Sequence, residues 1–133
     1  MGVTAAFAMD AAALSANLPM PLGDALADAP HEIAAFAYLS RTGTLLGTRT
    51  IGSSLPDLVA LPIRQIVRHA ILLDADRLVM AHNHPSGIAA PSRADIDTTR
   101  RLSRALAMFD VRLVDHWIVT RDRWVSLRAL GLM

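Results

Sequence analysis

The sequence predicts one α/β domain, a mixed central sheet with helices on its faces. Short apolar runs of strand length alternate with longer segments whose apolar residues recur at helical spacing, which is the pattern of a layered α/β fold. The first two strand-like runs are separated only by Ser40-Arg41-Thr42-Gly43, a turn that joins them as a hairpin. A length of 133 residues suits one domain with a real core.

Residues 1–30 are rich in Ala and Leu and carry few charges; Thr4 to Ala16 reads as a helix, and Pro21, Gly23 and Pro30 punctuate the residues after it. We take 1–30 as a short helical N-terminal segment and 31–133 as the domain proper. Glu32 to Leu39 reads as a buried strand and Thr44 to Ile51 as its hairpin partner. Pro56 and Asp57 open a helical stretch in which Leu61, Ile63, Ile66, Val67, Ala70, Ile71 and Leu73 give a broad apolar side, with Pro62 suited to a first turn. Arg64 and Arg68 read as solvated, and the isolated His69 as structural. Asp74-Ala75-Asp76 ends the helix, and Arg77 to Asn83 is the next strand. Pro85, Gly87 and Pro91 force a loop before a helix from Ser92 to about Phe109. Val111 to Thr120 is a further strand, 120–123 a turn, and Trp124 to Leu127 the last short strand.

The chemistry concentrates between residues 82 and 95. Residues i and i+2 of a strand share a face, so His82 and His84 project together and Asn83 points away. On a helical wheel of about 100° per residue, Asp95, Thr99, Leu102, Leu106 and Phe109 form one stripe, while Arg93, Asp97, Arg100, Arg101 and Arg104 lie opposite. Asp95 is thus an inward carboxylate, which is costly to bury without a partner. Two imidazoles and that carboxylate make a three-ligand zinc site with the fourth position left for water. Plainer readings compete: strand-end histidines bonded to a loop, and Ser92 and Asp95 as an ordinary helix start, the latter compatible with a metal. A closed structural site wants four ligands, commonly with Cys, and the chain has no Cys.

His82-x-His84-Pro85, six residues, then Ser92-x-x-Asp95 resembles the signature of the JAMM metalloproteases, a zinc-dependent isopeptidase superfamily. The fuller string His-Asn-His-Pro-Ser-Gly, followed by Pro-Ser-x-x-Asp, resembles the RadC-type branch of that superfamily. So do Leu113-Val114-Asp115-His116 and Trp124-Val125-Ser126-Leu127. The likeness covers about His31 to Leu132. It implies a single JAMM-like domain, a curved mixed sheet between helices, with zinc at one strand end held by His82, His84 and Asp95. It further implies that an upstream glutamate serves as general acid/base, and Glu32 is the only glutamate in the chain. Ser92 matches the motif serine that donates a hydrogen bond to the developing oxyanion. The implied activity is hydrolysis of an amide bond in a protein or peptide substrate. Asp115 and His116 are polar residues inside an apolar run; either they form a satisfied core pair or they orient a ligand.

Composition narrows the rest. Without Cys there is no disulfide scaffold, no thiol chemistry and no His/Cys/Cys deaminase site. Net charge is +1, all 13 basic residues are Arg, and no block of like charge marks a nucleic-acid arm. The Arg side of the helix after Ser92 reads as a solvated face, and binding to nucleic acid stays open. A hydrophobic fraction of 53% and a mean hydropathy of +0.35 suit a homo-oligomer. No stretch is long and apolar enough to span a membrane, and the first residues lack the basic start of a signal peptide, so a cytoplasmic location is expected. Two further readings remain open: a DNA-associated accessory protein with a structural or regulatory metal domain, and a non-catalytic interaction module.

Overall fold

The computed structural model describes residues 26–52 and 61–133. The helix expected over Thr4 to Ala16, and the expected start at Pro56 and Asp57 of the helical stretch that carries Leu61 to Leu73, lie outside those residues. The described elements are, in order, β1 (Ala34–Leu39), β2 (Leu45–Ile51), helix α1 (Ile63–Leu72), β3 (Arg77–Asn83), helix α2 (Arg93–Ala107), β4 (Arg112–Val119) and β5 (Trp124–Ser126), with residues 26–28 also helical. Each expected strand, and the expected hairpin, is present within one or two residues of its expected bounds.

The strands form one five-stranded sheet in the order β2-β1-β3-β4-β5. β1 pairs antiparallel with both β2 and β3, β3 pairs parallel with β4, and β4 pairs antiparallel with β5. The parallel step needs a crossover, and α2 supplies it. This is the mixed α/β sheet the sequence predicts. β1 is buried along its whole length because it is interior to the sheet and covered on both faces. β2 lies at the edge, and its residues are half-buried or exposed.

Both numbered helices pack on one face. Ile66, Val67 and Ala70 of α1 and Leu102 and Leu106 of α2 meet Phe36, Tyr38, Leu78 and Met80 of the sheet. The opposite face collects Ala35, Ala37, Val79, Ala81, Trp117 and Val119, with Leu26 from the helical residues 26–28 lying against them. Fully burying side chains of this size contributes roughly 1.5–3 kcal/mol each.

Several expectations at helix ends need correction. α1 begins at Ile63, so Leu61 and Pro62 precede it, and Pro62 is its N-cap with no side-chain cap bond. Its buried stripe is Ile66, Val67 and Ala70, whereas Ile71 is 53% exposed, one step round the helix from Ala70 and off the sheet. α2 ends at Ala107, two residues before the expected Phe109. Asp110 takes a left-handed conformation (φ 59°) and the Val111 N–H donates back to the Leu106 carbonyl at 3.0 Å. This turn carries Phe109 off the apolar stripe and leaves it 53% exposed.

The parallel β3–β4 ladder contains a bulge. Leu78 pairs with Leu113 but Val79 pairs with Asp115, so Val114 is an extra residue. The alternation shifts phase there. Leu113 and His116, rather than Leu113 and Asp115, share the helix side of the sheet.

Candidate metal centre

His82 lies near the C-terminal end of β3, opposite Ala34 of β1 and Ile118 of β4, and is fully buried. His84 is the first residue past the strand, held by its N–H donating to the Val119 carbonyl at 3.0 Å. The next turn closes with the Gly87 N–H donating to the His84 carbonyl at 3.0 Å. Gly87 has φ 84°, a left-handed value that disfavours any side chain, although nothing lies within 4 Å of where a Cβ would sit. The loop then delivers Ser92 as N-cap of α2. Ser92 Oγ accepts the Asp95 N–H at 3.0 Å while Asp95 Oδ2 accepts the Ser92 N–H at 2.8 Å, a reciprocal capping box.

These elements bring the expected residues to one point. The Nε2 atoms of His82 and His84 are 2.8 Å apart. Asp95 Oδ1 is 3.4 Å from His82 Nε2, and Asp95 Oδ2 is 3.3 Å from His84 Nε2. A Glu32 carboxylate oxygen and one ring nitrogen from each histidine all lie within 4.8 Å of one another. Glu32 is half-buried and sits just before β1. Asp97 is exposed, on the far side of α2.

Electrostatics agree with the geometry. The hydrogen bond with Asp95 raises the His84 pKa, helped by the Ile88 carbonyl and by the charges of Asp95 and Glu32, and outweighs the opposing effect of burial. Burial alone would push the Asp95 carboxyl up, yet the two imidazoles and the Ser92 N–H together hold it well below the ordinary carboxylate range. Burial, then the charge of His82, keeps His116 well below the usual histidine value.

The donor set fits a divalent cation. His84 Nδ1 lies 2.8 Å from the Ile88 carbonyl, which can only accept, so neutral His84 carries its proton on Nδ1 and presents a lone pair at Nε2. That lone pair faces a second imidazole nitrogen and a carboxylate, with Glu32 beside them. Two nitrogens and carboxylate oxygens in one cluster suit zinc, and two carboxylates balance its charge. The capping box occupies Asp95 Oδ2 and leaves Oδ1 turned to His82. Ser92 caps through a lone pair, and among the described residues nothing accepts its hydroxyl proton.

Asp115 and His116 do not pair side chain to side chain; as successive strand residues they point to opposite faces, and the bulge at Val114 puts His116 on the helix side. Asp115 accepts from the N–H of His116, the Trp117 indole, the Ser126 hydroxyl and the Arg128 N–H, which ties down the C-terminal turn. His116 reaches His82 instead: His116 Nε2 lies 2.6 Å from His82 Nδ1. Sequence reasoning gave no role to two residues that matter here. Asn83 accepts from the Ile33 N–H at 2.6 Å and donates to the carbonyls of His31 (2.9 Å) and Ala29 (3.3 Å), fixing the segment that carries Glu32. Its signal was its place between the two histidines. Thr99 stands 2.6 Å from His116 Nδ1, and its signal was a hydroxyl within the apolar stripe.

Comparison with known proteins points the same way. A family model described as the RadC-like JAB domain matches residues 15–132. A UPF0758 protein of Methylibium petroleiphilum is 40% identical over 108 residues, covering 81% of this chain and 49% of that protein. UPF0758 proteins of Marinobacter nauticus and of a Polaromonas species are 39% and 41% identical, each over 104 residues, covering 78% of this chain and 46% of theirs. The chain spans about half the length of the curated relatives it matches. Among the described residues no helix is long and apolar enough to cross a membrane.

Proposed function

The chain belongs to the RadC-like JAB domain family, and from that membership and its histidine–carboxylate cluster we propose that it is a zinc-dependent metallopeptidase or isopeptidase acting on a protein or peptide. The observation that carries the reading is the convergence of His82, His84 and Asp95 on one point with Glu32 beside them. His82, His84 and Asp95 would hold the metal, which when bound supplies Lewis-acid polarisation and a water acidified toward neutrality. Glu32 takes the proton of the attacking water and returns it to the leaving amine. Ser92 donates its hydroxyl hydrogen to the substrate carbonyl oxygen as negative charge develops there.

A second reading has its own observation. Glu32 lies as close to the imidazole nitrogens as a ligand would. If Glu32 ligates, the site has four protein ligands and is closed, as in structural zinc sites. The chain is then a non-catalytic interaction module.

Zinc stoichiometry separates the two. Elemental analysis of the wild type, His84→Ala and Glu32→Ala is expected to give about one zinc per chain, lost in His84→Ala and kept in Glu32→Ala. That pattern, with amide hydrolysis of peptide libraries by the wild type but not by Glu32→Ala, supports the peptidase. Loss of zinc in Glu32→Ala favours the closed site. A wild type that takes up no zinc under non-stripping conditions sinks the peptidase and the closed zinc site, and leaves a metal-free interaction module.

A further inference from the structure

Behind His82 runs a chain of hydrogen bonds that starts at the Asp95 backbone carbonyl and ends on His82, whose far nitrogen faces the Asp95 carboxylate. Thr99 Oγ1 lies 2.6 Å from the Asp95 backbone carbonyl, one helical turn earlier. It lies 2.6 Å from His116 Nδ1 as well. His116 Nε2 lies 2.6 Å from His82 Nδ1. His82 Nε2 then faces Asp95 Oδ1 at 3.4 Å. Thr99, His82 and His116 are all fully buried, so solvent reaches none of the three.

The protons can be counted. A backbone carbonyl only accepts, so the single hydroxyl hydrogen of Thr99 goes to Asp95. Thr99 Oγ1 must then accept from His116, which puts a proton on His116 Nδ1. Neutral His116 therefore offers a lone pair at Nε2, and His82 must donate to it from Nδ1. The neutral His82 that results has its lone pair at Nε2, 2.8 Å from His84 Nε2 and 3.4 Å from Asp95 Oδ1, a convergence of acceptors at the mouth of the relay that a cation or a further proton between the two imidazoles satisfies. In the reverse arrangement, with the proton on His82 Nε2, His116 would carry its proton on Nε2 and Thr99 would donate to His116. That leaves two acceptors, Thr99 Oγ1 and the Asp95 carbonyl, 2.6 Å apart with no hydrogen between them.

We propose that Thr99 and His116 are positioning residues: a one-way relay from the Asp95 carbonyl through Thr99 and His116 fixes His82 as the Nδ1–H tautomer, with its Nε2 lone pair held toward the metal centre. The relay builds in the tautomer that a metal would otherwise have to select. Outer partners of this kind hold a ligand's orientation and raise its basicity. The significance for zinc rests on the function proposed above; the tautomer itself does not.

The test uses the full chain, zinc-free and zinc-loaded. Long-range ¹⁵N NMR of the imidazoles of zinc-free wild type is expected to show His82 and His116 both protonated at Nδ1. Thr99→Val removes the acceptor for His116 and is expected to move His82 toward the Nε2–H form. By chelator competition its zinc dissociation constant is expected to rise about 10- to 100-fold. Thr99→Ser keeps the hydroxyl and is expected to restore both readouts, which a purely structural role for the threonine methyl would not. His82 protonated at Nε2 in the wild type overturns the relay, and that result needs no variant to fold. So does a Thr99→Val protein that keeps both tautomer and affinity. A wild type with the Nδ1–H tautomer that binds no zinc upholds the relay and overturns the metal reading instead.

Discussion

Asn83 and Ile33 are joined by a hydrogen bond of 2.6 Å, in which the Ile33 N–H donates to Asn83 Oδ1. Ile33 is the residue after Glu32, and Asn83 lies between His82 and His84. One short strand end therefore presents the imidazoles from one face and clasps the glutamate segment from the other. Asn83 is buried, and its amide also donates to the carbonyls of His31 and Ala29. Asn83→Ala leaves the Ile33 N–H and those carbonyls without their partner, at a cost of about 1–3 kcal/mol. Denaturant unfolding is expected to show that loss; under the proposed function, zinc content is expected to stay unchanged and peptide hydrolysis to fall because Glu32 is no longer held. An unchanged unfolding midpoint would show that the clasp contributes nothing.

Tyr38 gives a pH prediction that one absorbance signal can read, since it is the only tyrosine in the chain. Burial pushes its phenol up to about 12 from 10.0, with the nearby Arg49 charge offsetting a little. Its hydroxyl donates to the Ile66 carbonyl at 3.3 Å, linking β1 to α1. The folded state favours the neutral phenol, so the associated stability is fully present below pH 10 and is lost as pH rises toward about 12. The loss is at most about 3 kcal/mol. Phenolate absorbance of the native protein is expected to titrate near 12, and Tyr38→Phe is expected to flatten stability across that window. A native titration near 10 would refute it.

The pattern of elements was legible because its signals are local. Period-2 and period-3.6 hydrophobicity located the strands and helices, and the His-x-His spacing with an inward Asp95 located the cluster. What was not legible depends on tertiary context. The extra residue at Val114 is set by pairing with β3, and without it the alternation assigns His116 to the wrong face. The exposure of Phe109 results from a left-handed Asp110, a residue type that enters that conformation only sometimes. The roles of Asn83 and Thr99 rest on partners 50 and 17 residues away along the chain, which no local window contains.

Ser92 has a capping role in the structure and a chemical role in the proposal, and substitutions can separate them. Its Oγ accepts the Asp95 N–H, so Ser92→Ala is expected to cost about 1 kcal/mol of stability. Ser92→Asn keeps an N-cap acceptor and is expected to retain stability while losing the hydroxyl. If the hydroxyl serves the oxyanion, hydrolysis falls about 100-fold or more in both variants, while thermal unfolding shifts only in the first. Full activity in Ser92→Asn would remove the hydroxyl from the mechanism.

Asp115 is expected to matter for the fold and not for the metal. Its carboxylate accepts from the Trp117 indole and the Ser126 hydroxyl, both at 2.6 Å, and from the N–H groups of His116 and Arg128. It thereby fastens β5 and the turn after it to β4, beside the edge-to-face pair of Trp117 and Trp124. Asp115→Ala strands four donors at once, two of them in buried bonds and two in half-buried ones, and the sum is expected to exceed about 3 kcal/mol. Asp115→Asn is expected to fall in between, because its amide can replace one acceptor oxygen but turns the other into a donor facing donors. Tryptophan fluorescence should track both losses directly, since Trp117 loses its indole partner. The fraction that remains folded is expected to keep wild-type zinc affinity, because Asp115 projects from the face opposite His82. A folded Asp115→Asn protein with weakened zinc binding would show that the two faces of β4 are coupled through the bulge.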